Sequence, residues 1–225
     1  MPRYKALLTD LDGTLVHSQD CICEALIKSF QNVKVRVPSK DEIMGMFGLP
    51  VEVMLTTLTE TDTEDRDTIL RFIEEYKKQY PIYMEGAGMI EHAFETVNRI
   101  SEMDCPVCLI TSERRKNAEH ILRRLGLDKP IKFMVTRDDV TRFKPDPEPI
   151  LKGAAACGYR PEECVYIGES PFDIEAGVAA GAYTVAVPSG NWPRQSLEEQ
   201  SPDCLIEDIS QLLPIFRGIK MEEKK

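Results

Sequence analysis

Short apolar runs recur along this chain, and nearly every one is followed by a stretch with helical spacing. The runs at 4–9, 106–110, 131–135, 165–168, 183–187 and 204–206 read as buried strands. Helical patterns follow or separate them at 89–102, 115–125, 147–157, 172–180 and 209–216. Gly126 stops the second of these helices, and prolines open the third, which ends before Gly158. Strands alternating with helices close into a parallel sheet with helices on both faces, so the expected fold class is α/β.

Residues 18–83 break the alternation. Apolar residues there keep helical spacing at 24–30, 40–47, 51–58 and 65–80, with a breaker at Gly48-Leu49-Pro50, and no strand pattern appears. This block reads as a small α-helical cap inserted after the first strand. The expected domains are a catalytic core from residues 1–16 and 84–225 and a cap from residues 17–83. Residues 221–225 form a charged tail, expected to fray.

Charge and composition narrow the function. The 225 residues carry a formal net charge of −10, which argues against nucleic acid as a partner. A small anionic substrate stays open, because a local site can oppose the global charge. No apolar run is long enough to span a bilayer, so no membrane partner is expected. The first residues lead directly into a strand without a signal-like apolar region, and the expected location is cytoplasmic. The seven cysteines lack framework spacing. Cys105 and Cys108 have CxxC form, yet no second thiol pair stands at ligand spacing, so they read as small apolar residues of a buried strand.

The polar residues that follow the strands carry the chemistry. A parallel sheet binds ligands at the carboxyl ends of its strands, and four segments fall there: Asp10-Leu11-Asp12-Gly13-Thr14, Thr111-Ser112, Lys144-Pro145, and Gly168-Glu169-Ser170-Pro171-Phe172-Asp173. On an extended segment Asp10 and Asp12 point to one side. Asp10 continues the strand and is the candidate nucleophile. Asp12 can protonate a leaving group and then activate water. An anionic nucleophile attacking a phosphate is repelled unless a hard cation intervenes, and Mg2+ accepts a few carboxylates plus water and phosphate oxygens. Asp10, the Asp12 carbonyl, Glu169 and Asp173 are the candidate metal ligands. Thr111, with Ser112 and nearby amides, could hold a phosphate oxygen. Lys144, in a loop stiffened by prolines, could stabilise both Asp10 and the transferring phosphoryl group. Of the three histidines, His92 and His120 lie in helical patterns, and His17 stands near the first strand end.

These segments, in this order, resemble the haloacid dehalogenase-like hydrolase superfamily over nearly the whole chain. The resemblance implies a Rossmann-like core with a small helical cap, Mg2+, and an aspartyl-phosphate intermediate. It makes Asp10 the nucleophile, Asp12 the general acid/base, Thr111 and Lys144 the phosphate-binding residues, and Glu169 and Asp173 the acidic metal motif. The stretches 135–140, 144–149 and 168–177 look like the phosphoglycolate phosphatase and pyrophosphatase branch. Two residues depart from that pattern. His17 stands where Asp is usual, and Glu169 stands where Asp is usual. The extra methylene lets the Glu169 carboxylate reach about 1.5 Å further.

The expected function is therefore Mg2+-dependent hydrolysis of a small phosphorylated metabolite, by a monomer or dimer. A phosphomutase using the same aspartate pair remains an alternative, as does a non-catalytic phosphate-binding module. Carbon–halogen displacement would need neither Asp12 nor Mg2+.

Overall fold

The computed structural model describes residues 3–58 and 66–218. The expected charged tail and the start of the helix expected at 65 lie outside the described residues. The chain opens with β1 (Ala6–Thr9) and β2 (Val16–His17), then the helices α1 (Gln19–Val33), α2 (Lys40–Met44), α3 (Val51–Leu58) and α4 (Arg66–Met84). After β3 (Gly88–Met89) come α5 (Ala93–Ser101), β4 (Val107–Ile110), α6 (Arg115–Leu125), β5 (Ile131–Val135) and α7 (Glu148–Ala156). The last part holds β6 (Cys164–Gly168), α8 (Pro171–Ala180), β7 (Tyr183–Ala186), α9 (Arg194–Glu198), β8 (Cys204–Leu205) and α10 (Leu212–Phe216).

A six-stranded sheet runs in the order β5-β4-β1-β6-β7-β8, and every pairing in it is parallel. The two-residue period of a strand sorts its side chains onto two faces. Leu7, Val107, Leu109, Val165 and Ile167 join the larger core, while Ala6, Leu8, Cys108, Ile110 and Tyr166 join the other. Helices α7 and α8 pack on the second face, and α5 and α10 on the first. Cys105 belongs to one core and Cys108 to the other, so the CxxC thiols face apart. All seven cysteines are free.

The first strand is central. The chain leaves β1, fills one side with β4 and β5, then crosses to β6 on the other side. The gap between β1 and β6 is thus the point where strand order reverses, and the crevice there receives the loops that bind ligands.

The helices between β2 and β3 pack on one another, chiefly α1 on α4. The rings of Phe30 and Phe72 stand 4.6 Å apart at their contact. The chain enters and leaves this block through β2 and β3, which pair antiparallel, Val16 with Met89 and His17 with Gly88. That pairing corrects the helix expected over 89–102. The amide of Ile90 donates to the Leu15 carbonyl at 2.9 Å, so the segment stays extended and the helix starts only at Ala93. Two other helices differ in their bounds. Helix α4 continues through Pro81, which removes one backbone donor, because Tyr80 and Met84 are still buried on its inner face. The helix expected over 209–216 opens as a 3-10 turn at Ile209–Gln211, capped by Asp208, and becomes α-helical only from Leu212. No helix among the described residues is long and apolar enough to cross a membrane.

Candidate active site

Asp10 follows β1 directly, and its amide donates to the Ile167 carbonyl at 3.0 Å, continuing the pairing of β1 with β6. Gly13 takes a left-handed φ of 80°, which turns the chain back so that its amide reaches the Val16 carbonyl at 2.8 Å. The turn leaves Asp10 buried and Asp12 partly buried. The Thr14 hydroxyl donates to Asp10 Oδ2 at 3.2 Å. The Ser18 hydroxyl donates to Asp12 Oδ1 at 2.5 Å.

Lys144 arrives from the loop after β5, preceding a cis peptide to Pro145. Its side chain is only 2 % exposed. Nζ donates to Asp10 Oδ1 at 2.7 Å and to Asp173 Oδ1 at 2.6 Å. Burial works against the ammonium, but the two carboxylates outweigh it and hold Lys144 charged above the ordinary lysine value.

Asp173 has a full set of partners. Tyr166 Oη donates to Oδ1 at 2.6 Å, and the Ser170 amide and hydroxyl donate to Oδ2 at 3.1 and 2.6 Å. The Ser170 contacts form a reciprocal capping box at the start of α8. With Lys144, four donors fill the roughly four acceptor positions of one carboxylate. They outweigh burial and keep the Asp173 carboxyl below its ordinary value. Asp173, expected among the metal ligands, is therefore saturated by protein donors in this structure.

Glu169 is the opposite case. Its side chain lies beneath Gly190, so close that a Cβ there would stand 1.9 Å from Oε2. It is 2 % exposed, and Oε2 has no hydrogen-bond partner. Burial, with Asp173 and Asp10 nearby, pushes its carboxyl well above the ordinary range, an effect that the Gln19 amide and Lys144 only partly offset. Burial likewise raises Asp10 to about 7, with Lys144 opposing and Asp173 and Asp12 reinforcing. Asp12 is also raised to about 7, by burial first and then by Glu113.

Thr111 is buried after β4, and its hydroxyl accepts the Glu113 amide at 3.1 Å. The Ser112 hydroxyl donates to the Gly48 carbonyl at 2.8 Å, tying the core to the α2–α3 loop. His17 is exposed in β2. The structure thus brings Asp10, Asp12, Lys144, Glu169 and Asp173 to one end of the sheet. It adds Thr14, Ser18, Tyr166, Ser170 and Glu113 to that group. Tyr166 reads in the sequence as one more apolar strand residue, and only the geometry shows its hydroxyl on Asp173.

Four carboxyl groups here face one ammonium. Among the described residues no three acidic, histidine or cysteine side chains are arranged to ligate an ion by themselves. Mg2+, however, takes only one or two carboxylates and keeps water or phosphate oxygens for the rest. An orphaned, buried Glu169 oxygen beside Asp10, in a pocket with surplus negative charge, fits such an ion.

Residues 7–187 match the profile of the haloacid dehalogenase-like hydrolases. The chain belongs to this family, and is by that membership a hydrolase. It is 28 % identical over 214 residues to the pyrophosphatase PpaX of Bacillus cereus, covering 95 % of this chain and 97 % of that one. A hydrolase from Pseudomonas syringae superposes with a TM-score of 0.85 at 26 % identity, covering 96 % of this chain and 100 % of the other. A protein from Haemophilus somnus, described as a predicted phosphoglycolate phosphatase, has the same fold at a TM-score of 0.85 and 22 % identity, over 96 % of this chain and 99 % of its own.

Proposed function

We propose that the chain is a Mg2+-dependent phosphatase that hydrolyses a small phosphorylated metabolite through an aspartyl phosphate on Asp10. The observation that carries this reading is the buried Asp10–Lys144–Asp173 ion chain beside Asp12 and the orphaned Glu169. Asp10 Oδ2, held by the weaker Thr14 contact, is the attacking atom. Lys144 fixes Oδ1 and offers a positive charge where the phosphoryl oxygens gather. Asp12, with Ser18 orienting its carboxyl, donates its proton to the leaving oxygen and later takes one from water. That water attacks the phosphorus of the acyl phosphate, the P–O bond to Asp10 breaks, and inorganic phosphate leaves. Thr111 and Ser112, together with backbone amides, bind phosphoryl oxygens, Ser112 through its amide while its hydroxyl holds the Gly48 carbonyl.

Asp10, the Asp12 carbonyl and Glu169 would hold the metal. Bound there, Mg2+ neutralises charge on the transferring group. Asp173 serves Lys144 instead. Residues 17–83 act as the cap over residues 1–16 and 84–225, excluding water and selecting the substrate. The names of the relatives support phosphate-ester or phosphoanhydride chemistry. Release of phosphate from p-nitrophenyl phosphate tests the reading. It is expected with Mg2+, and expected to vanish in Asp10→Asn and on chelation. Undiminished turnover in Asp10→Asn overturns the assignment, and interconversion of sugar phosphates without phosphate release would replace it with a mutase.

A further inference from the structure

The cavity that contains Asp10 and Asp12 has a volume of about 640 Å³ and extends between the helical block and the core. Much of its wall is apolar, with basic residues among the rest. Phe47, Leu49, Met54, Ile73, Tyr76 and Ile121 line it, from α3, α4, the α2–α3 loop and α6. Phe47, Met54 and Tyr76 are buried, while Leu49 and Ile73 are partly buried against the same core. Glycolate has five heavy atoms. Together with the phosphoryl group that the same cavity receives at Asp10, it leaves room for a larger leaving group.

The end nearest the chemistry is acidic. Asp12 and Glu113 both border the cavity there, and Glu113 acts on Asp12. Tyr80 borders it too, with its Oη fully buried beside Glu113 and without a hydrogen bond of good geometry. An anionic leaving group would meet two carboxyl groups at the scissile bond. Of the basic wall residues, Arg137 is partly buried and acts on Glu113, while Lys116 and His120 are exposed. Arg114 faces Asp138 at 3.5 Å, Arg123 faces Glu119 at 3.3 Å, and Lys77 faces Glu74 at 2.6 Å. Arg137 lies over the Phe143 ring, 5.7 Å from its centroid. The exposed ones, Lys77, Arg114 and Arg123, can draw a phosphate ester toward the mouth of an otherwise negative protein.

We infer that the substrate is a phosphate monoester of a bulky, uncharged alcohol with an apolar or aromatic surface, which the cavity between the helical block and α6 receives as the leaving group. This rests on the phosphatase reading above and narrows its substrate class away from phosphoglycolate and pyrophosphate. The phosphoryl group sits at Asp10, the alcohol oxygen takes its proton from Asp12, and the apolar body lies along α3 and α4.

The test compares ethyl phosphate with 2-phenylethyl phosphate, whose leaving groups are similar in acidity, and adds phosphoglycolate and pyrophosphate, all with Mg2+. The phenylethyl ester should show a kcat/KM roughly 10–100-fold above ethyl phosphate, as expected for burying a phenyl group. It should also exceed phosphoglycolate and pyrophosphate. The ratio of phenylethyl to ethyl should fall in Ile73→Asn and in Leu49→Asn; if either variant fails to fold, the wild-type ratio decides alone. Equal rates for the two alkyl esters, or faster hydrolysis of phosphoglycolate or pyrophosphate, overturn this inference and leave the phosphatase reading intact. No phosphate release from any of the four overturns both.

Discussion

At Lys144 one ammonium holds two carboxylates in a place where burial opposes all three charges. Removing one member of such a set leaves the others uncompensated, at a cost of about 3–5 kcal/mol. Lys144→Met should therefore lower unfolding stability by about that amount in urea denaturation with a chelator present, and should abolish phosphate release. Tyr166→Phe is a milder probe of the same chain. It removes one hydrogen bond to a charged acceptor, so stability should drop by about 1.5–3 kcal/mol. The kcat should fall with KM little changed, since Lys144 loses part of its support while the substrate pocket is untouched. A control lies away from the site. Burial opposes the charge of Asp139, but the Thr136 hydroxyl and amide and the Arg115 guanidinium outweigh it and hold this carboxyl below its ordinary value. A depressed folded-state value stabilises the fold above the unfolded-state pKa, near 3.9, and the benefit disappears as pH falls through the folded value. Asp139 is exposed, so solvent screens these contacts and Asp139→Asn should cost less than about 1 kcal/mol at neutral pH, with the deficit shrinking toward zero in acid. A deficit that stayed constant down to pH 2 would contradict the charge-based account.

Among the elements, the α2–α3 loop packs closely against the candidate-site end of the sheet. Gly48 has φ +105°, and a Cβ there would stand 2.9 Å from Ser170 Oγ and 3.0 Å from the Phe172 ring. Its carbonyl also takes the Ser112 hydroxyl. Gly48→Ala adds both strain and a clash, so the loop should be held off the core. The expected result is a loss of roughly tenfold or more in kcat/KM, with a far smaller change in thermal stability because the residue is outside the sheet. An unchanged kcat/KM would mean that this contact has no part in turnover. The sequence was informative about such elements where signals are local. Asp10, Glu169 and Asp173 stand in short strings just past apolar strands and Lys144 in the proline-rich loop after β5, and the structure gathers them at one end of the sheet. It was uninformative where the deciding contact is distant in sequence. Nothing near Met89 announces pairing with Val16, so a helix was expected in place of β3. Nothing near Tyr80 or Glu113 shows that α4 and the β4–α6 loop meet over Asp12. For Asp173 the string identified a carboxylate at the site, while its partners Tyr166 and Ser170 decide what remains for it to do.

The whole molecule combines a net charge of −10 with a candidate site that is itself rich in carboxyl groups. A divalent cation bound only by the folded chain stabilises it by mass action. Mg2+ should raise the melting temperature of the wild type, and Glu169→Gln should reduce that rise. An equal rise in both would place the ion elsewhere. The parallel sheet explains why distant segments can build such a site, because β1, β4 and β6 lie side by side and deliver Asp10, Thr111 and Glu169 to the same edge. The most direct test of the central claim is a single-turnover acid quench with a phosphate ester radiolabelled in its phosphoryl group, followed by peptide mapping. Label should appear transiently on the peptide containing Asp10 and be released by hydroxylamine, as an acyl phosphate requires. Full-rate release of phosphate with that peptide never labelled, or with label on another residue, would contradict it.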